Sequence, residues 1–139
     1  MVQLIVGNKG KGKTKHLLDK VNSQITETEG NIVYLDKSTK HMFELNNKVR
    51  LIDVSEYLIT ESDEFVGFIA GIISQDHDLQ QMYLDSFLTI ACLEGKDISN
   101  TIEKLERISD KFSVDFVLSV GIDKEELPES VKENVVVSL

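Results

Sequence analysis

Eight residues, Gly7-Asn8-Lys9-Gly10-Lys11-Gly12-Lys13-Thr14, constrain this chain more than any other stretch. They satisfy the pattern G-x-x-x-x-G-K-[ST] at every required position, and they join two different hydrophobic patterns. Before them runs Val2-Gln3-Leu4-Ile5-Val6, short and apolar as a buried strand; after them Leu17, Leu18, Val21 and Ile25 recur at helical spacing. A strand that turns through such a loop into a helix aims several backbone N–H groups, and the positive end of the helix dipole, at one small concavity. Such a concavity suits a phosphate. Glycines at 7, 10 and 12 let the backbone approach an anion, Lys13 brings a point charge to the β/γ oxygens, and Thr14 offers a hydroxyl to Mg²⁺.

With the strand before it and the helix after it, this loop resembles the Walker A motif of P-loop nucleoside triphosphatases. The resemblance implies a nucleoside triphosphate, ATP first, as ligand and Mg²⁺ as cofactor, with Gly7 to Thr14 around the phosphates and Lys13 in the reacting charge. ParA/MinD-like ATPases carry a signature lysine five residues before the loop lysine. That position is Asn8 here, so Lys9 and Lys11 are read as solvent-facing charges that raise the local positive potential.

A second informative stretch is Met82-Tyr83-Leu84-Asp85. An apolar strand finishing in aspartate resembles the Walker B element, which implies that Asp85 holds Mg²⁺ through water beside Thr14. Its plainer reading is a cap on the next segment. Ser86 stands where many hydrolytic ATPases carry a catalytic glutamate, so the residue that would activate water is not in its usual place. Asp36, closing the apolar run Asn31 to Leu35, has two readings: a water-positioning carboxylate near the γ-phosphate, or the first residue of the polar turn Asp36-Lys37-Ser38-Thr39-Lys40. Ser119, near the end of the run Val114 to Val120, sits where related ATPases place a polar sensor residue.

The rest of the chain alternates strand and helix patterns. A short helix is expected around His41 to Leu45 and a strand over Val49 to Val54. Thr60 to Asp63 offer capping residues to a wide apolar helix through Phe65, Phe68, Ile69, Ile72 and Ile73, whose Gly67 and Gly71 are read as helix-on-sheet packing. Phe87 to Leu93 is ambiguous between helix and loop. Ile98, Ile102, Leu105, Ile108 and Phe112 mark an amphipathic helix, Glu125 to Glu133 an acidic one, and Val135 to Leu139 a last strand. Asp76-His77-Asp78 reads as a solvated loop, since three adjacent residues cannot converge on one ion, and His16 and His41 as surface or half-buried residues.

Charge and cysteine usage narrow the function class. A net charge of −9 with only Arg50 and Arg107 as arginines argues against nucleic acid and anionic membrane as partners. Lys9, Lys11, Lys13, Lys15 and His16 form a basic island in that acidic background, which suits a small anion better than a polymer. The single cysteine, Cys92, permits no internal disulfide, no Cys/His cluster has metal-ligand spacing, and no apolar run reaches about 18 residues, so a cytoplasmic protein is expected.

Together these patterns predict one domain over 1–139, of the α/β class: a three-layer α/β/α P-loop fold with a mostly parallel sheet of five or six strands. The order of its motifs resembles the RecA-like branch, and the layout is similar, more loosely, to small bacterial proteins described as PilT-like ATPases. The expected activity is Mg²⁺-dependent nucleotide binding with slow hydrolysis. Its alternatives are a nucleotide-responsive interaction module, acting on a protein partner or within a homo-oligomer, and a small nucleoside or nucleotide kinase, for which arginines are few. An arginine finger, if Arg50 or Arg107 served, would act in trans.

Overall fold

The computed structural model describes residues 1–139. Strands β1 (Val2–Val6), β2 (Asn31–Asp36), β3 (Arg50–Asp53), β4 (Leu79–Leu84), β5 (Asp115–Val120) and β6 (Val135–Ser138) form one sheet in the order β3-β2-β4-β5-β1-β6. Every neighbouring pair is parallel. The helices are α1 (Lys13–Gln24), α2 (Ser62–Ser74), α3 (Phe87–Ile90), α4 (Ser99–Phe112) and α5 (Glu129–Lys132). No helix is long and apolar enough to cross a membrane.

The strands read as continuous apolar runs because both faces of the sheet are covered, and period 2 divides their side chains between two cores. Leu4, Val33, Leu35, Met82, Leu84, Phe116 and Leu118 belong to the larger core, with α2 to α5. Ile5, Ile32, Tyr34, Tyr83 and Val117 belong to the smaller one, under Leu17, Leu18 and Val21 of α1. The result is an α/β/α sandwich with α1 alone among the helices on one side. Connections that run toward β3 cross on the α1 side and those that run toward β6 cross on the other, as one handedness of crossover requires.

Helix α1 starts badly and still forms. Its N-cap is Gly12 in a left-handed conformation with no side-chain cap, its first turn holds no acidic residue, and Lys13 and Lys15 stand there instead. Each cation at a positive helix end costs roughly 0.3–1 kcal/mol, whereas burying each of Leu17, Leu18 and Val21 contributes roughly 1.5–3 kcal/mol. Packing wins over capping.

Two expectations need correction. The acidic helix over 125–133 is broken: Lys124–Glu126 is a 3₁₀ turn, Pro128 becomes the N-cap, and α5 is a single turn. Pro128 cannot donate into a continuing helix, and its ring excludes helical backbone at the residue before it. Strand β4 begins at Leu79, not at Met82, because Gln80 points to solvent and Gln81 donates to Gln24 Oε1 at 2.9 Å. The loop at 76–78 is a turn with His77 and Asp78 exposed, as expected, and Asp76 also ties it down: it accepts from Asn31 Nδ2 at 3.0 Å, Arg50 Nη1 at 3.2 Å and the Asp78 amide at 3.0 Å, joining the amino ends of β2, β3 and β4. Arg50 is thereby held at the opposite end of the sheet from the loop Gly7–Thr14, and Arg107 pairs with Glu103 on α4. The short helix near residue 41 is a 3₁₀ turn, Met42–Glu44, and Phe87–Ile90 resolves the ambiguous run as one helical turn.

Candidate functional site

All six strands point their carboxyl ends at one rim, and a cleft of about 780 Å³ opens there. The loop after β1 supplies one wall through Lys9, Gly10, Gly12, Lys13 and Thr14. Across from it stands the turn after β2, with Asp36, Lys37, Ser38, Lys40 and His41. Asp85, Ser86 and Ser119 form the floor between them, and Leu88 is the one hydrophobic residue in the lining. Gly7, Asn8 and Lys11 belong to the loop but not to the cleft wall. His41, expected to be inert, lines the cleft, and its ring lies 3.1 Å from Glu44 Oε1.

The loop's shape follows from its glycines. Gly10 and Gly12 sit at φ +86° and +91°, where a side chain is strained, and open space lies where a Cβ would stand. Gly7 is needed for a second reason: a Cβ there would come within 3.0 Å of the Leu139 Cβ. The N–H groups of Gly10, Gly12, Lys13 and Thr14 donate to no other group of the chain, so α1 presents them with its dipole uncompensated. Lys13 Nζ donates to the Asn8 carbonyl at 3.1 Å, which holds the ammonium against the loop. Burial lowers the Lys13 pKa, and attraction to Asp85 opposes that shift.

Asp85 is the hub of the floor. It is 2 % exposed, and it accepts from four donors, three of them on separate elements. Oδ1 takes Ser119 Oγ at 2.6 Å, the Ser86 amide at 2.8 Å and Thr14 Oγ1 at 3.2 Å; Oδ2 takes Tyr34 Oη at 2.7 Å. Ser86 adopts a left-handed conformation, φ +52°, and its amide also reaches Ser119 Oγ at 2.8 Å. That geometry costs a non-glycine residue about 1–2 kcal/mol, which two hydrogen bonds from one amide offset.

Asp36 is buried as deeply, 2 % exposed, yet it is held on one side only. Oδ1 accepts from the Lys37 amide at 2.7 Å, which starts the turn after β2 and leaves the other oxygen uncommitted. Oδ2 has no partner, alone among the buried side-chain polar atoms. Burial first, and repulsion from Asp85 second, push the Asp36 pKa up to about 6. A buried, unpaired carboxylate in a polar cleft is the usual mark of a group kept for a ligand or a proton.

The structure therefore brings together Lys13, Thr14, Asp36, Asp85 and Ser119 from four separated stretches of sequence. Sequence reasoning missed Tyr34, whose ring is fully buried in the smaller core and whose hydroxyl reaches the site. Burial, and then the Asp85 charge, raise its pKa, so the phenol stays a donor. A signal for it existed: the tripeptide Tyr-Leu-Asp occurs twice, at 34–36 and at 83–85. Both copies end adjacent parallel strands in register, Tyr34 opposite Tyr83 and Leu35 opposite Leu84, and the two rings stack with centroids 6.4 Å apart.

A divalent cation fits part of this set. The Thr14 hydroxyl, Asp85 and the unpaired oxygen of Asp36 are hard oxygen donors of the kind Mg²⁺ takes. No group of three or more His, Cys, Asp or Glu side chains converges to hold a metal, so the protein offers a partial shell that phosphate oxygens and water would complete. No protein-family model and no curated protein matches this chain.

Proposed function

We propose that this protein binds a Mg²⁺–nucleoside triphosphate, ATP first, in the cleft at the carboxyl edge of the sheet, and hydrolyses it slowly. The observation that supports this most is the uncapped N-terminus of α1, with the free amides of Gly10, Gly12, Lys13 and Thr14, a lysine held beside them, and the Thr14 hydroxyl bonded to a buried carboxylate. A helix start that sacrifices capping and tolerates two lysines is expensive unless an anion completes it. Four lysines on the cleft walls, Lys9, Lys13, Lys37 and Lys40, in a chain of net charge −9, favour the same ligand class.

In this reading the loop amides and Lys13 cradle the phosphates and stabilise charge that develops on them. Thr14, by its hydroxyl, and Asp85, through water, would hold the metal. Mg²⁺ bound there would neutralise phosphate charge. Asp36 takes the water-positioning role that Ser86 cannot perform, since it lines the cleft, its Oδ2 is unpaired and its raised pKa makes it a competent proton acceptor just above pH 6.

Calorimetric titration of Mg²⁺·ATP into wild type and Lys13→Ala tests the binding claim, with phosphate release followed on the same samples. Wild type is expected to bind, and Lys13→Ala to bind roughly 10- to 100-fold more weakly, the loss of a charge-assisted contact of about 1.5–3 kcal/mol. A wild type that does not bind overturns the proposal. Ser86 in place of a glutamate also favours a second reading, a nucleotide-responsive module without turnover; tight binding with no phosphate release, with or without an acceptor, selects it.

A further inference from the structure

Two identical tripeptides in register would be expected to place their aspartates in similar surroundings. They do not. Tyr34, from the first copy, donates across the strand pair to Asp85 of the second, at 2.7 Å. Tyr83, from the second copy, turns instead to Gln81 Oε1 at 2.7 Å, and Gln81 in turn reaches α1 through Gln24. Asp36 therefore lacks the phenol that Asp85 has, and its Oδ2 is left unpaired. A phenylalanine would fill the site of Tyr34 equally well as packing, since the ring is fully buried against Tyr83 and the rest of the smaller core. Only the hydroxyl distinguishes the residue, and its one partner is Asp85.

The geometry points to Tyr34 as the positioning residue of this site: its hydroxyl fixes Asp85 as the carboxylate that serves the Thr14 and metal side, and leaves Asp36 as the carboxylate with a buried, unpaired oxygen. This assignment rests on the nucleotide reading above. Oδ1 of Asp85 already receives three donors, and Oδ2 has one further acceptor position beside Tyr34. Asp85 is thus locked in rotation by bonds on both oxygens. The free position lies on the oxygen that Tyr34 orients, so the direction in which Asp85 can accept from a metal-bound water is set by the phenol.

Tyr34→Phe tests the assignment. Nucleotide affinity in EDTA should stay within about twofold of wild type, because the loop amides and Lys13 are untouched. The affinity of Mn²⁺ for the protein with a non-hydrolysable ATP analogue, read by electron paramagnetic resonance, should weaken at least tenfold, the usual effect of removing an outer hydrogen-bond partner of a metal site. Combining Tyr34→Phe with Asp85→Asn should cost no more Mn²⁺ affinity than Asp85→Asn alone, since Tyr34 acts only through Asp85. Tyr83→Phe, which removes a hydroxyl bonded to Gln81, should leave Mn²⁺ affinity unchanged. Unaltered Mn²⁺ affinity in Tyr34→Phe, or fully additive losses in the double variant, would overturn the assignment.

A second measurement needs no variant of Tyr34. With three tyrosines in the chain, the ¹³Cζ resonances of labelled tyrosine can be assigned singly through Tyr57→Phe and Tyr83→Phe. The Tyr34 resonance should move when Mg²⁺ joins the nucleotide-bound protein, and a stationary resonance on a sample that binds the metal refutes the role. If wild type binds no nucleotide at all, the nucleotide reading falls and this assignment with it; wild-type binding with an indifferent Tyr34 refutes this assignment alone.

Discussion

At the scale of single residues, the site is a contrast between two aspartates of equal burial. Asp85 is surrounded by donors, while Asp36 has one amide on one oxygen. The pKa of Asp36 rises from an ordinary 3.8 to about 6, so the folded protein holds that proton more tightly than the unfolded chain does. Stability from this group is present below pH 4 and is lost as pH rises through about 6, where the buried carboxylate must charge. Asp36→Asn removes that penalty. Thermal and urea unfolding should show the variant more stable than wild type at pH 8 by about 2 to 3 kcal/mol, at 1.36 kcal/mol per pKa unit, with the gap closing toward pH 4. A gap independent of pH would mean that the stabilisation has another source. Legibility at this scale was uneven. Lys13 and Thr14 carry a spaced pattern that fixes their place in a loop, whereas Tyr34 resembles any apolar strand residue until its neighbour strand is known, because its partner is 51 positions away.

At the scale of elements, α1 works against its own stability at the end where it meets the cleft. Its first turn combines no acidic residue, no side-chain cap and a lysine partly stripped of water. Lys13→Ala relieves one like charge from the positive helix end and introduces a better helix former. The variant should unfold about 0.5 to 1 kcal/mol later than wild type without ligand, the upper range of a dipole contact, while it loses nucleotide affinity. Equal or lower stability measured by urea titration would show that the Lys13 bond to the Asn8 carbonyl outweighs the dipole. Strand and helix alternation was legible because each strand is covered on both faces and reads as an apolar run. Boundaries were less so: Gln80 and Gln81 hide the start of β4, since a strand edge that exchanges side-chain bonds with α1 need not be apolar. Pro128 is visible in the sequence, and its veto on a continuous helix overrides the acidic helical pattern that surrounds it.

For the whole molecule, the sheet order decides what can meet. β5 lies between β1 and β4, so the loop after β1 and Asp85 after β4 are separated by one strand, whose Ser119 donates to Asp85, while Thr14 spans the gap to the same carboxylate. That order follows from which crossover lies on which side, a long-range matter that no local pattern encodes. Donors to Asp85 come from α1, from β2, from the residue after β4 and from β5, elements that meet only when the central strands of the sheet have assembled. The Ser86 amide, held by Asp85 and Ser119 at once, is consequently a reporter on global cooperativity: it should exchange with deuterium at the slow rate of complete unfolding and not at the faster rate of a fraying loop. A site wired in this way has no partly formed state, and the chain is either able to present it whole or not folded at all.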